Sequence, residues 1–343
     1  MIIRSKAPLR LGIAGGGTDL EPYSTMFGGL VLNATISLYA HCTLEISNNG
    51  FIEFDAVDLG INEKFESKSF LELNNKLDLH KGVYNRIVRD FNNNVPISFK
   101  LTTHCDSPPG SGLGSSSTLV VSMLKAFVEL LDLPLGEYDI ANLAYQVERK
   151  DIGLNGGKQD QYAAAFGGFN FMEFIGEDQV IINPLRIKNW IKNELEASII
   201  LFYTGVSRSS EEIINDQIKN TEGSQNSALE AMHAVKRSAI DMKQAVLKGD
   251  MNRFGEILES SWEFKKKMSN KISNTHIKDI FATAKENGAI TGKVSGAGGG
   301  GFIMFLVNPI KKVSVVKALS KFNGSVFNFN FSDGGCRGWK IME

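Results

Sequence analysis

The stretch Pro108-Pro109-Gly110-Ser111-Gly112-Leu113-Gly114-Ser115-Ser116-Ser117 constrains this chain more than any other. It follows a strand-like apolar run, Ile97 to Thr103, and precedes a helical run from Thr118 to Leu131. Glycines in such a loop allow positive φ and let the backbone approach a ligand. The serines can cap the helix, whose free N–H groups and dipole favour an anion. A nucleotide phosphate needs that combination. A simple Gly/Ser turn has the same composition, so the segment alone admits both readings. It is not a Walker sequence, because no Gly-Lys-Ser/Thr closes it.

A chain of 343 residues has room for a large core and for two domains. A net charge of −1 supplies no excess to neutralise a nucleic-acid backbone. No run approaches the roughly 18 apolar residues of a membrane span, and Met1-Ile2-Ile3-Arg4-Ser5-Lys6 lacks the layout of a signal peptide. Cys42, Cys105 and Cys336 are scattered, without metal-ligand spacing or a disulfide framework, and the five histidines are equally dispersed. The expectation is a reduced, cytoplasmic enzyme without a metal cluster.

Three further segments carry chemistry. Near the start, Gly15-Gly16-Gly17-Thr18-Asp19 precedes a β-rich run, Val31 to Ile46. Thr18 and Asp19 could bond the hydroxyls of a polyol, or simply form a turn with Asp19 as an N-cap. Arg10, on the apolar stretch Ala7 to Ile13, is either an outward edge residue or a cation held in a cleft. In the middle, a helical run Ile140 to Arg149 leads through Gly153–Gly157 into a short Ala-rich helix, so Glu148 and Asp160 flank a glycine loop. One carboxylate can help hold Mg²⁺ and another can accept a proton from a hydroxyl. Glu148 could equally be a solvated partner of Arg149 or Lys150, and Asp160 an N-cap. Phe51 to Phe54 reads as a strand followed by a polar linker to Ser69, and Leu79 to Phe91 as a helix. Residues 209–268 read as helical with a break at Gly249-Asp250, and Lys265-Lys266-Lys267 as a solvated face. A last glycine stretch, Gly292 to Gly301, leads into the apolar strand Phe302 to Val307.

These three glycine segments, in this order, resemble the small-molecule kinase superfamily of galactokinase, homoserine kinase, mevalonate kinase and phosphomevalonate kinase, over nearly the whole chain. The motifs are Ala7-Pro8-Leu9-Arg10 through Gly17-Thr18-Asp19, then Pro109 through Ser117, then Lys293 through Gly301. The resemblance implies a two-domain α+β fold with the active site in the cleft between domains. Residues 1–185 would form an N-terminal domain like ribosomal protein S5 domain 2, with the sugar motif and the ATP-phosphate loop. Residues 186–343 would form a ferredoxin-like C-terminal domain with the third motif. ATP phosphates would be cradled by Pro109, Gly110, Ser111, Gly112, Leu113, Gly114, Ser115 and Ser116, with Gly298 and Gly299. Mg²⁺ would be held by Ser116 and Glu148. Asp160 would be the catalytic carboxylate facing the acceptor hydroxyl, with Arg10 as its cationic partner, and Gly17, Thr18 and Asp19 would meet the sugar. A cation beside Asp160 stabilises its ionised form and offsets charge on the transferring phosphoryl group.

Galactokinases carry a Glu-His pair where this chain has Gly16 and Gly17. The Gly-Gly-Gly-Thr-Asp form, with Pro22-Tyr23, Gly157-Lys158-Gln159-Asp160-Gln161-Tyr162 and Phe166-Gly167-Gly168, is similar to the heptose 7-phosphate kinase branch, related to fucokinases. That likeness implies ATP-dependent phosphorylation of the anomeric hydroxyl of a heptose 7-phosphate, on the route to GDP-heptose for bacterial surface glycans. An unphosphorylated sugar such as fucose is the alternative acceptor. The small-molecule sugar phosphate would need cations, for which Lys158 and Arg208 are the candidates with Arg337 behind them. Arg208, in Gly205-Val206-Ser207-Arg208-Ser209, could bind an anion through side chain and backbone together, or be an ordinary exposed arginine. No nucleic acid or membrane partner is expected, and a homodimer stays open. A non-catalytic sensor on the same fold would not need Arg10, Ser116, Glu148 and Asp160 together.

Overall fold

The computed structural model describes residues 1–207, 210–222 and 226–341. Its strands are β1 (Ile2–Ala14), β2 (Gly29–Ile46), β3 (Phe51–Ala56), β4 (Ile61–Glu66), β5 (Phe99–Cys105), β6 (Phe169–Ile175), β7 (Gln179–Pro184), β8 (Ile199–Tyr203), β9 (Ala289–Val294), β10 (Phe302–Val307), β11 (Ser325–Phe327) and β12 (Arg337–Ile341). A large sheet runs β12-β1-β2-β5-β3-β4, with β6 and β7 added through β2. A smaller sheet runs β11-β8-β10-β9. The last strand returns to the first sheet, with Ile341 opposite Ile2. A cut at 185/186 therefore leaves β12 on the far side of its own sheet.

Strand periodicity explains how the two sheets are joined. In β10 every residue is buried, and alternate side chains point to opposite faces. Phe302, Met304 and Leu306 enter one core with Leu9, Leu11 and Ile13 of β1 and Phe169 and Phe171 of β6. Ile303, Phe305 and Val307 enter another with Trp262, Ile277 and Ile280 of the helices that cover the small sheet. The first of these cores is thus shared by both sheets.

Several local expectations are corrected. The polar segment after Phe54 is not a linker, because Ile61–Glu66 pairs with β3 as a hairpin strand. The helix after the phosphate-type loop is Ser115–Leu130, capped by Gly114 in the left-handed region at φ 79 with no side-chain cap. Ser115, Ser116 and Ser117 are therefore its first turn rather than its caps. The dispersed histidines also converge in part: His41 on β2 lies opposite His104 on β5, their rings stacked at 4.5 Å.

The second and third glycine motifs dock backbone to backbone. Phe302 N–H donates to the Ser111 carbonyl (2.9 Å), and Ser295 Oγ to the Gly112 carbonyl (3.0 Å). A Cβ on Gly296 would lie 2.7 Å from Gly112 Cα, and Gly296 has φ +71. A side chain there meets both a steric and a conformational penalty. We expect Gly296→Ala to cost about 2 kcal/mol or more, measured as a lower urea midpoint at unchanged slope.

Candidate active site

One cavity of about 350 Å³ gathers residues from all three motifs. Arg10 enters it from β1 and is almost wholly buried. Its Nε donates to Asp160 Oδ1 at 2.7 Å, Nη2 lies 2.6 Å from the same oxygen, and Nη1 donates to the Gly112 carbonyl at 2.7 Å. Because both contacts fall on Oδ1, Oδ2 is left for a ligand. A Cβ on Gly114 would stand 3.0 Å from Asp160 Cγ, so that glycine is what lets the carboxylate sit against the start of helix Ser115–Leu130. The free N–H groups of that first turn, with the helix dipole, form the anion-favouring end of the cavity. Of the loop, Gly110, Gly112, Gly114, Ser115 and Ser116 line the cavity. Ser111 and Leu113 are buried, their carbonyls engaged by Phe302 N–H and Arg10 N–H, and Pro109 accepts a bond from Ser207 Oγ at its carbonyl. These three residues shape the loop instead of lining it.

Glu148 lies on a π-helical turn, Gln146–Asp151, that continues helix Glu137–Tyr145. The wider turn departs from α-helical phase, and such turns recur at functional sites. Glu148 is 1% exposed and accepts from Gln161 Nε2, which also donates to Ser117 Oγ at 3.1 Å. Burial raises its pKa, while Arg149, Ser117 and Gln161 oppose the shift. Among the described residues Gln161 Oε1, buried alongside, has no hydrogen-bond partner. This oxygen-rich donor set fits a hard cation. Ser116 is exposed at the start of helix Ser115–Leu130, while buried Ser117 is the serine linked to Glu148 through Gln161 Nε2.

Asp19 reaches the cavity, yet its carboxylate is already engaged. Gln159 N–H donates to Oδ2 (3.1 Å), while Gln159 Nε2 (2.9 Å) and Gly17 N–H (3.2 Å) donate to Oδ1. Burial and the neighbouring Asp160 raise its pKa against those donors. Gly17 lines the cavity with φ +102.

Four expected ligands are placed otherwise. Thr18 is fully buried; its hydroxyl donates to the Gly15 carbonyl (2.8 Å) and accepts from Leu30 N–H (3.0 Å), so it holds the turn instead of facing a sugar. Lys158 points away from the cavity: Nζ donates to the Glu177 carbonyl, lies 3.5 Å from Glu21, and sits over the Tyr145 ring. Gly298 and Gly299 pack on the loop before helix Thr275–Glu286, where Gly299 N–H donates to the Ile272 carbonyl (2.8 Å). Gly296 and Ala297 line the cavity in their place. Arg208 lies outside the described residues.

Sequence reasoning missed two lysines. Lys265, read as part of a solvated run, is 5% exposed and donates to the Gly296 carbonyl inside the cavity. Burial and Arg10 push its pKa down to about 8, opposed by Asp19 and Asp160. Lys293 donates to the Ile13 carbonyl at 3.1 Å, and burial, Lys265 and Arg10 hold its pKa well below the ordinary value. A signal for Lys265 existed: it falls three residues after Trp262 and seven after Leu258, on the buried stripe of its helix.

Comparison with known proteins accounts for this assembly. Residues 78–168 match the GHMP kinases N terminal domain, and residues 242–324 match GHMP kinases C terminal. The chain belongs to the GHMP kinases. It is 52% identical over 339 residues to D-glycero-alpha-D-manno-heptose 7-phosphate kinase of Campylobacter jejuni, covering 99% of both chains. A crystal structure of a D-glycero-D-manno-heptose 1-phosphate kinase from Bacteroides thetaiotaomicron is likewise 52% identical, at a TM-score of 0.86 over 99% of this chain and 100% of that one. L-fucokinase/L-fucose-1-P guanylyltransferase of Bacteroides fragilis is 24% identical over 93% of this chain but 36% of its own length. The two-domain α+β kinase fold is the one found in mevalonate kinase, at a TM-score of 0.73 and 21% identity. Among the described residues no helix is long and apolar enough to cross a membrane. ATP is the phosphoryl donor typical of this family.

Because Lys158 is bonded away from the cavity, we expect Lys158→Met to leave the KM for the acceptor sugar within about twofold. The same substitution should lower stability by about 1 kcal/mol, since the Glu177 carbonyl loses its donor. Steady-state kinetics and urea unfolding on one preparation check both.

Proposed function

We propose that this protein transfers the γ-phosphoryl group of ATP to the anomeric hydroxyl of D-glycero-D-manno-heptose 7-phosphate. The product would be the 1,7-bisphosphate, on the route to GDP-heptose for bacterial surface glycans. The observation that carries the reading is the Arg10–Asp160 pair set against the first turn of helix Ser115–Leu130 in one cavity. The sugar is supported by the 52% identity to kinases named for heptose phosphates. Those names differ in phosphate position. Anomeric transfer requires a free C1 hydroxyl, which a 1-phosphate lacks and a 7-phosphate keeps.

In the reaction, the anomeric oxygen attacks the γ-phosphorus as the bond to the β,γ-bridging oxygen breaks, and ADP leaves. The hydroxyl proton passes to Asp160 Oδ2, while Arg10 holds Oδ1 and places a positive charge beside the transferring group. The N–H groups of residues 115–117 position the donor phosphates. Glu148 and Ser116, with Ser117 adjacent, would hold Mg²⁺, which neutralises phosphate charge when bound. The requirement for ATP supports a cytoplasmic site for the reaction.

A second reading, an anomeric kinase for an unphosphorylated sugar such as fucose, is favoured by one observation: Lys158 is not available to a sugar phosphate. An ADP-release assay across heptose 7-phosphate, the unphosphorylated heptose and fucose separates the two. The first reading requires kcat/KM at least about tenfold higher for the phosphorylated heptose; equal turnover of fucose overturns it. Asp160→Asn should lower kcat by about 10³ while calorimetry still finds ATP bound within about threefold of wild type. Undiminished turnover would remove Asp160 from the chemistry.

A further inference from the structure

Lys265 is a buried cation that neither the phosphate loop nor the Arg10–Asp160 pair uses. An ordinary buried lysine in this chain is fully satisfied: Lys81, fully buried, bonds Asn74 Oδ1 (2.5 Å), the Lys76 carbonyl (2.7 Å) and Glu63 (2.9 Å). Lys265 donates to the Gly296 carbonyl and, among the described residues, forms no ion pair. An ammonium carries three donors, so two are left to whatever fills the cavity. The nearby carboxylates form their hydrogen bonds with other groups, Asp160 Oδ1 with Arg10 and Asp19 with Gln159 and Gly17, and act on Lys265 through their charge alone. Lys293 adds a second cation nearby.

The space in front of that ammonium is kept clear by Gly16. A Cβ built there would stand 3.9 Å from Lys265 Nζ and 4.0 Å from Gln159 Nε2, with no closer atom. The backbone at Gly16 is not in the left-handed region, so neither strain nor contact demands glycine. What glycine supplies is room for a ligand against a buried cation. The helix N-terminus and Arg10 already serve the transferring phosphoryl group from the loop side. Lys265 stands on the side of Gly16, in the segment that the family resemblance assigns to the acceptor.

We propose that Lys265, with Gly16 leaving its approach open, binds the phosphate monoester that the acceptor sugar already carries, and so selects a sugar phosphate over the free sugar. This deepens the heptose 7-phosphate reading and rests on it. The test measures full steady-state kinetics at saturating ATP with D-glycero-D-manno-heptose 7-phosphate and with the unphosphorylated heptose. In Lys265→Met the KM for the 7-phosphate should rise about thirtyfold or more, as expected for losing a charged hydrogen bond. The preference for the phosphorylated sugar should fall by the same factor, and kcat and the KM for ATP should change less than about threefold. Lys265→Arg should restore most of the preference.

Gly16→Glu is the second variant. Its Cβ meets no atom closer than 3.9 Å and its carboxylate can reach the ammonium, so it should fold and lose the 7-phosphate preference even where Lys265→Met does not fold. A fall in kcat at unchanged KM would put Lys265 on the transferring phosphoryl group and overturn the proposal. So would a preference that survives both variants. If the wild-type enzyme shows no preference for the phosphorylated sugar, the heptose 7-phosphate reading itself fails. A wild-type preference that both variants keep sinks only the role of Lys265.

Discussion

The contact between Arg10 and Asp160 ties together every part of the chain that the chemistry needs. Arg10 belongs to β1, its own N–H bonds the Leu113 carbonyl, and its guanidinium reaches Gly112 and Asp160 and lies 3.5 Å from Ser295 Oγ. Four segments far apart in sequence are thereby fixed to one planar group. A guanidinium suits that task because its donors diverge in a rigid fork, which an ammonium cannot match. Removing one partner of such a buried pair leaves the other uncompensated, at a cost of several kcal/mol. Loss of activity on replacing Arg10 would therefore mix lost chemistry with lost architecture.

The cations of the cleft share a second constraint: a main-chain carbonyl anchors each of them. Gly112 holds Arg10, Gly296 holds Lys265 and Ile13 holds Lys293. A carbonyl fixes an ammonium without neutralising it, whereas a carboxylate would cancel its charge. The glycines make this arrangement reachable. Gly112 and Gly296 lie so close that a Cβ on either would strike the other's segment, and their carbonyls come within reach of Arg10 and Lys265 as a consequence.

Motif order and spacing carried much of the fold and of the site, because the glycine segments have narrow backbone requirements that leave a mark in sequence. Arg10, Glu148 and Asp160 each had a bland alternative reading, and it was the family resemblance carried by those motifs that pointed them at the cavity they line. Orientation was not legible. Thr18 and Asp19 are adjacent, yet one hydroxyl closes a turn and one carboxylate faces the cavity. Lys158 and Asp160 are two residues apart at the start of one helix and point to different surroundings. Glu148 is aimed by a π-helical turn, a departure from helical phase that periodicity cannot register. Lys265 was hidden for the opposite reason. Two adjoining lysines, half-buried Lys266 and exposed Lys267, made its charge look solvated although its phase with Leu258 and Trp262 pointed inward.

Buried lysines without carboxylate partners are poor devices for stability. Burial pushes the pKa of Lys265 down to about 8 and holds that of Lys293 well below its ordinary value, so the charged form of both is held at a free-energy disadvantage. A well-packed apolar side chain would serve the fold alone as well or better. The disadvantage is removed when a polyanion enters, since each phosphate oxygen both desolvates with the ammonium and pairs with it. Two phosphorylated substrates would share the positive charge of these lysines with that of Arg10. The cleft is thus organised around charges its ligands bring, and its two buried lysines keep theirs because carbonyls instead of acids anchor them.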